Sequence, residues 1–307
     1  MSPTENSKIG WTTSTWNPVT GCTQISPGCA HCYAKAFTER WGGDFSQVVL
    51  HEDRLTQPLK WKSPRRIFVN SMSDLFHEDV PFEFIDQVFA MMLLAHWHTY
   101  QALTKRAGRM HEYMTCERTA HFSDGTPVEP RNRYTSADFV LWAAQKIVED
   151  MPFKERAKLG EDGYPDGDTM TWPLPNVWLG VSVENQHFAN ERIPILIDTP
   201  AAVRWVSYEP ALEAIRIGHL LGHTEQRRLI DWVVCGGESG KDRRPFSVQW
   251  ARLVYEQCRE AGVPFFMKQD SAFKSEQQGR IPDWLWAIKE YPATETTELS
   301  RPGQEQR

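Results

Sequence analysis

Three cysteines near the start of the chain are the residues whose type and spacing most directly indicate chemistry. They are Cys22, Cys29 and Cys32, separated by six residues and then by two. The short gap forms a tight turn that lets two thiolates share one metal or cluster, and Pro27-Gly28 supplies a turn that folds Cys22 back. The other cysteines occur singly and far away: Cys116, Cys235 and Cys258. The spacing therefore predicts a thiolate-bound metal or iron–sulfur centre.

The number of cysteines separates the candidate centres. Structural zinc takes four ligands, so the triad would need a fourth from His31, His51 or a remote residue. A [4Fe–4S] cluster held by three thiolates leaves one iron open to a ligand, whereas an electron-transferring cluster normally takes four cysteines. The triad favours a [4Fe–4S] cluster with an open iron, with zinc and unliganded thiols as the alternatives.

Bulk properties restrict the class of protein. The net charge of −6 gives no general attraction to a polyanion, although a local basic channel stays compatible with it. No run approaches the roughly 18 apolar residues that span a bilayer, and the first residues do not resemble a signal peptide. Six cysteines in 307 residues do not make a disulfide framework. These features predict a cytoplasmic protein without a membrane segment.

Short apolar runs that alternate with helical patterns predict the fold. The runs cover residues 66–71, 98–105, 176–183, 203–208, 231–237 and 263–268. Helices are expected at 81–96, from about 109, at 186–198 and at 248–261. This alternation indicates a parallel sheet, and six such units favour a barrel. We predict an α/β protein whose residues 1–291 form a partial or complete TIM-like (β/α) barrel of parallel strands.

Two regions interrupt this alternation. Residues from about 115 to 175 are rich in Gly, Pro and charge and contain a helical pattern near 136–150, so we interpret them as an insertion. The insertion is expected to be a decorated connection, with a lid or a partner surface as alternatives. Residues 292–307 contain few apolar side chains and are expected to form a disordered tail.

Polar residues follow all six predicted strands, where a parallel barrel carries its chemistry. The candidates for binding or catalysis are Ser73, Asp74, Lys105, Ser182, Glu184, Asn185, Glu209, Glu238 and Lys268. The structural alternatives are helix caps for the residues near 74 and 185 and rim ion pairs for the two lysines. Gly236-Gly237 would let the backbone approach a ligand closely.

The cysteine segment resembles the radical S-adenosylmethionine superfamily, whose usual motif has gaps of three and two residues and an aromatic residue near the last cysteine. Here the first gap is six, and Tyr33 follows the last cysteine. The chain is identified more specifically as a member of the phage-associated three-Cys-motif family. The segments that carry this resemblance are Trp11-Thr12, Thr15–Cys22, Ser26–Cys29, Cys32–Ala34, Leu179–Asn185, Gly236–Gly240 and Pro264–Gln269.

The resemblance implies a partial TIM-type barrel in which Cys22, Cys29 and Cys32 hold a [4Fe–4S] cluster and the open iron binds S-adenosylmethionine. An external electron donor would reduce the cluster, and a 5′-deoxyadenosyl radical would then abstract hydrogen from a substrate. The resemblance places the groups that hold the methionine ammonium at Ser73 and Asp74. From their positions at strand ends, Ser182, Glu184 and Asn185 are expected to bind the ribose hydroxyls or the methionyl carboxylate, and Glu209, which precedes Pro210, is expected to face the cleft. Glu238 is expected to contact substrate, and Lys268 and Lys105 to meet an anionic substrate or a phosphate.

Two short strand-end pieces, Ser71-Met72-Ser73-Asp74 and Leu103-Thr104-Lys105, resemble the spore photoproduct lyase branch, which repairs a thymine dimer in DNA. With the phage association, this resemblance implies a nucleic acid or nucleotide substrate, while the acidic net charge leaves a small molecule or a protein open. The alternative functions are a zinc- or iron–sulfur-containing nucleic-acid-binding protein and a redox sensor, neither of them catalytic. The sequence does not identify a partner protein.

Overall fold

The computed structural model describes residues 7–121, 126–129, 132–152, 156, 167, 170–223 and 228–293. Within these ranges, seven parallel strands form a curled half-barrel, which confirms the predicted α/β class and partial TIM-like barrel. In both sheet and chain order they are β1 (Ser14–Trp16), β2 (Arg66–Val69), β3 (Thr99–Thr104), β4 (Val177–Ser182), β5 (Val203–Tyr208), β6 (Trp232–Gly236) and β7 (Phe265–Gln269).

Helices alternate with the strands, and apolar side chains of several of them form the main core together with one face of the sheet. Among the described residues they are α1 (Tyr33–Arg40), α2 (Phe82–Leu94), α3 (Ala107–Thr115), α4 (Ser136–Asp150), α5 (Gln186–Asp198), α6 (Val248–Glu260) and α7 (Asp283–Trp286). All six predicted strands are present as β2 to β7. The prediction missed β1, because an edge strand of three residues, two of them polar, has too little apolar pattern to detect.

Alternate side chains of each strand face opposite sides of the half-barrel. On β4, Val177, Leu179 and Val181 pack into the core beneath the helices, whereas Trp178 belongs to a second, inner cluster of aromatic rings. The other tryptophans of this inner cluster are Trp11, Trp205 and Trp232. Their ring centroids lie 5.1–5.8 Å apart in successive pairs, so indole rings fill the barrel interior.

Gly180 of β4 lies directly beside Trp205 of β5, and the space there has no room for a side chain. A Cβ atom at Gly180 would lie 2.4 Å from the Trp205 ring. We therefore expect Gly180→Ala to lower the free energy of unfolding by about 1–3 kcal/mol through overpacking, measured by urea denaturation. Gly108→Ala is the matched control, because nothing lies within 4 Å of that position in α3. The control is expected to leave stability unchanged or raise it; equal stabilities of the two variants would contradict the overpacking argument.

The described part of residues 115–175 packs against α2. A two-stranded antiparallel ribbon pairs Glu117–Arg118 with Tyr134–Thr135, and α4 follows it directly. Arg118 makes two hydrogen bonds of 2.8 and 2.9 Å to the buried Asp86 carboxylate of α2, which tie the ribbon to that helix. Residues 294–307, nearly all of the expected tail, lie outside the described residues. In the described ranges no helix combines the length and the apolar character needed to cross a membrane.

Candidate active site at the cysteine loop

The loop that carries the three cysteines lies over the carboxyl ends of the strands. Gly21 adopts φ 87°, and a Cβ there would lie 1.8 Å from the Gln47 carbonyl oxygen, so glycine is required where the chain turns toward Cys22. Cys29 ends a short 3₁₀ turn, and Cys32 directly precedes α1. These local turns place all three cysteines in the lining of one cavity.

The three thiols are free, half-buried and exposed to one cavity of about 460 Å³, which we call the cysteine cavity. The opposite wall of this cavity comes from residues at or just after the ends of β2, β3 and β4. The polar members of that wall are Asn70, Ser71, Ser73, Asp74, Thr104, Lys105, Arg106 and Ser182. The half-barrel thus places thiols and strand-end polar groups around one space.

The three cysteines that line this cavity are thiol donors of the kind that holds an iron–sulfur cluster. In the described part of the chain, no three Cys, His, Asp or Glu side chains meet in the arrangement that one bound ion needs. His31 bonds through Nδ1 to Glu238 at 3.0 Å and His51 through Nε2 to Thr20 at 2.8 Å, and neither of these two candidate zinc ligands lines the cysteine cavity. Soft thiolates spaced around a cavity suit a cluster, which is wider than an ion.

Arg106 connects the cysteine loop to the strand ends. Its buried guanidinium donates to Cys22 Sγ at 3.5 Å and to Thr23 Oγ1 at 2.9 Å. It also donates to Asp74 Oδ2 at 3.3 Å and to Glu78 Oε2 at 2.8 Å. The sequence analysis did not single out this arginine, because nothing in the sequence pairs residue 106 with residue 22. It is the charged group that contacts a candidate cluster ligand directly.

The surroundings of Cys22 and Cys29 act on their thiols in opposite directions. Burial, helped by the Asp74 carboxylate, raises the pKa of Cys22 to about 11, although the Arg106 guanidinium opposes this. Burial also raises the pKa of Cys29, but the Lys105 ammonium and hydrogen bonds from Ile25 and Ser26 together bring it below its ordinary value. Positive charge from Lys105 therefore favours a thiolate at Cys29.

Ser73 and Asp74, assigned to a methionine ammonium by resemblance, are already bonded within the protein. Asp74 Oδ1 accepts from Thr104 Oγ1 at 2.7 Å and from the backbone of Phe76 at 3.0 Å. Its Oδ2 accepts from Arg106 and from the backbone of Lys105. Ser73 Oγ donates to the carbonyl of residue 19 at 2.8 Å. These contacts of Asp74 are all with groups of the protein, and Asp74 also lines the cysteine cavity.

Glu184 is fully buried and accepts a hydrogen bond from the backbone of the cysteine loop. Its Oε1 accepts from the Gly28 amide at 3.2 Å, and its Oε2 pairs with Arg192 at 3.2 Å. A Cβ at Gly28 would lie 3.1 Å from this carboxylate, which explains the glycine beside Cys29. Asn185, its neighbour, caps α5 by accepting from the Phe188 amide at 3.0 Å. Both side chains bond to protein groups in the structure.

Glu238 holds the cysteine loop from the opposite side. Its two oxygens accept from the Arg244 guanidinium at 2.6 and 3.1 Å, and His31 of the loop lies 3.0 Å away. Arg244 also donates to the Pro27 carbonyl at 2.9 Å. The pKa of Glu238 is lowered, because the hydrogen bonds from Arg244 and His31 outweigh its burial. Arg244 was not predicted from the sequence, since a lone arginine in a loop carries no signal.

A second cavity of about 340 Å³, the mouth cavity, adjoins the first. Gly28, Cys32, Tyr33, Phe68, Leu103, Lys105 and Ser182 line both. Glu209 and Lys268 face this mouth cavity, and Glu209 Oε1 lies 3.0 Å from Lys268 Nζ. Gly236 makes room for this pair rather than for a ligand, since its Cβ would lie 2.6 Å from Glu209 Oε1. Ser182 Oγ donates to the Glu209 carbonyl at 2.9 Å.

Two groups of the cysteine cavity have unused donors. Asn70 is 2% exposed and adopts φ 58°, an uncommon conformation for a residue other than glycine. Its Oδ1 accepts from the Val19 amide, while its Nδ2 has no hydrogen-bond partner among the described residues. Lys105 also lines this cavity, and it forms no ion pair with a carboxylate of the described residues. The sequence analysis named Asn70 only as part of a strand end.

Comparison with known proteins gives a family and a set of distant structural similarities. No curated protein matches the chain. Among solved structures, spore photoproduct lyase with a dinucleoside spore photoproduct matches with a TM-score of 0.42 and 10% identity, over 83% of this chain and 63% of that chain. A variant of the lyase with bound AdoMet and the same photoproduct matches with a TM-score of 0.41 and 10% identity, over 83% of this chain and 64% of that chain. This chain therefore spans less than two thirds of the length of the lyase.

The model of DUF5131, a protein family of unknown function, matches residues 6–301, and the chain belongs to that family.

Proposed function

We propose that the chain is a radical S-adenosylmethionine enzyme that acts on a nucleotide or nucleic acid substrate. The observation that carries this proposal is the convergence of three free thiols on one cavity at the carboxyl ends of a parallel half-barrel. Cys22, Cys29 and Cys32 would hold a [4Fe–4S] cluster. Three thiolates would leave one iron open, which suits a catalytic cluster better than one that only transfers electrons.

Cys22, Cys29 and Cys32 would hold a cluster that supplies one-electron reductive cleavage of S-adenosylmethionine, with the electron coming from an external donor. Lys105 and Asn70 are the wall groups with unused donors, so we assign them to the carboxylate of the methionine part. Asp74, Glu184 and Arg106 would hold the cysteine loop and the strand ends in place. The walls that the two cavities share would exclude water from the reacting atoms.

The mouth cavity would take the substrate. It adjoins the cysteine cavity along a shared wall that includes Cys32, Tyr33 and Ser182, so a bound substrate would lie next to the source of the radical. Lys268 and Glu209 would line this substrate space as an ion pair, and Glu238 would act through its contacts with the loop.

Anaerobic reconstitution with iron and sulfide tests this function. We expect about four iron and four sulfide per chain, a paramagnetic spectrum of the reduced cluster that changes on adding S-adenosylmethionine, and release of 5′-deoxyadenosine with dithionite. A colourless zinc protein without sulfide would contradict the proposal. A full cluster whose spectrum ignores S-adenosylmethionine, with no 5′-deoxyadenosine formed, would instead favour a redox sensor.

A further inference from the structure

The two most exposed large apolar side chains of the described residues border the mouth cavity. Trp41 is 72% exposed and Phe273 is 66% exposed. Trp41 directly follows α1, whose first residue, Tyr33, lines the mouth cavity, and Phe273 lies two residues before Ser275, which also lines it. Phe37 lies midway between Tyr33 and Trp41 and is 49% exposed, so three rings recur every four residues along α1. Exposed rings of this size beside a cavity mark a surface that contacts another molecule.

The loops after β6 and β7 lie side by side at this cavity, and both contribute to its lining. The Gly240 amide donates to the Ala272 carbonyl at 3.1 Å, which joins the two loops. The cysteine loop, which leads into α1, contacts the loop after β6 through His31, whose Nδ1 lies 3.0 Å from Glu238. The exposed rings and the two loops therefore form one continuous rim at the mouth.

Exposed cations outnumber exposed carboxylates in these two loops. Three cations form no ion pair with any carboxylate of the described residues: Lys241, Arg243 and Lys274. Among the carboxylates of the same loops, Glu238 and Asp270 are each paired with an arginine. Glu276 is half-buried in the cavity lining, and Asp242 is exposed. The surface is therefore locally positive, although the chain carries a net charge of −6.

We propose that this mouth rim binds a single-stranded nucleic acid, with bases stacked on the rings and phosphates at the cations. The mouth rim is formed by Phe37, Trp41, Lys241, Arg243, Phe273 and Lys274. This inference rests on the proposed function, and it narrows the substrate from a nucleotide or nucleic acid to an unpaired strand.

Rings interleaved with unpaired cations fit a single strand better than another polyanion. Lys241 and Phe273 each directly follow one partner of the hydrogen bond between Gly240 and Ala272, so their Cα atoms lie no more than about 15 Å apart, a span of a few nucleotides. Flat exposed rings stack on unpaired bases of any sequence, whereas a duplex keeps its bases within its own stack. An acidic peptide would neutralise the cations but has no flat groups for the rings.

Fluorescence anisotropy with labelled DNA and RNA strands of about 12 nucleotides tests the proposal on the full chain, as purified and after anaerobic reconstitution. We expect a single strand to bind at least about tenfold more tightly than its own duplex and than an abasic strand of the same length, because neither offers free bases to the rings. The logarithm of the binding constant is expected to fall against the logarithm of the salt concentration with a slope of about −2, as three phosphate contacts require.

Protein variants give a second arm. Phe273→Ala is expected to weaken binding of the strand about 5- to 100-fold through the loss of one stacked base. Its matched control is Trp284→Ala, since Trp284 is an exposed aromatic residue of α7 that lines neither cavity. Lys241→Gln is expected to reduce the salt slope by about 0.7, whereas the exposed Lys146→Gln in α4 leaves it unchanged.

Several results would overturn the inference. They are no binding of either strand, an abasic strand that binds as tightly as the intact one, and unaltered affinity of Phe273→Ala. Equal binding of poly-glutamate or of vesicles of anionic lipid would overturn it too, and would indicate an acidic protein or a membrane surface as the partner. The abasic arm changes only the ligand, so it stays informative if a variant folds poorly. Strand binding without formation of 5′-deoxyadenosine would support the inference and count against the radical reaction alone, whereas S-adenosylmethionine cleavage by a chain that binds no strand would do the reverse.

Discussion

Serine in place of Cys29 is expected to lower the iron and sulfide content of the anaerobically reconstituted chain at least about tenfold and to abolish formation of 5′-deoxyadenosine. The hydroxyl of serine is a hard, weakly acidic donor, whereas cluster iron is held by thiolate. Cys29 is chosen because the nearby Lys105 ammonium favours its thiolate form, which is the form of cysteine that binds a metal. Iron and sulfide assays and the visible charge-transfer absorption measure the outcome.

The matched control for this variant is Cys116→Ser. Cys116 is also a half-buried free thiol, but it follows α3 and its Sγ donates to the Tyr113 carbonyl, outside the cysteine cavity. We expect this control to hold a full cluster and to keep its activity. If Cys29→Ser retained cluster content equal to that of the control, the assignment of the triad as ligands would be wrong.

Methionine in place of Arg106 is expected to lower the free energy of unfolding by about 3–5 kcal/mol, because it leaves the buried Asp74 carboxylate without its countercharge. Both side chains are less than a tenth exposed, so solvent screening is weak. The same change removes the contacts of Arg106 with Cys22 and Thr23. We therefore also expect the variant to hold less cluster than the wild-type chain under conditions where both are folded.

Arg118→Met separates these two effects. Arg118 pairs with the buried Asp86 carboxylate, although its own side chain is 16% exposed against 4% for Arg106. Its loss is expected to cost comparable stability and to leave cluster content unchanged. Urea denaturation and iron assays on both variants provide the comparison. Adding Asp74→Asn to Arg106→Met should recover part of the lost stability, since the uncompensated charge is then removed. Equal cluster content in both arginine variants would rule out a special role of Arg106 at the loop.

The sequence determined the elements of the fold and the presence of a thiol site. The continuous apolar runs that became β2 to β7 and the 3.6-residue periodicity of the intervening helices are local properties, so they are visible without the structure. The cysteine spacing is local in the same way, since Gly21 and the Pro27-Gly28 turn lie within the loop itself. The parallel order of the strands follows from the short crossover helices.

Only the tertiary structure decided which polar strand ends face a cavity and which support the loop. Glu184, Glu238 and Asp74 have the same local signature, a carboxylate after an apolar strand, and the sequence analysis gave each of them to a ligand. In the structure each bonds to an arginine, Arg192, Arg244 and Arg106 respectively, and Asp74 and Glu238 also line a cavity. Their roles at a bound cofactor or substrate stay predictions.

The physical reason lies in the distance along the chain between partners. Parallel strands bring together residues that are far apart in sequence, such as Cys22 with Arg106 and Gly10 with Glu276. No local sequence pattern reveals such pairs. A charged side chain is buried where an oppositely charged partner offsets the cost of its desolvation. The type and spacing of the cysteines therefore predicted a metal-binding loop, whereas the half-barrel determined which residues surround it and which donors remain unused.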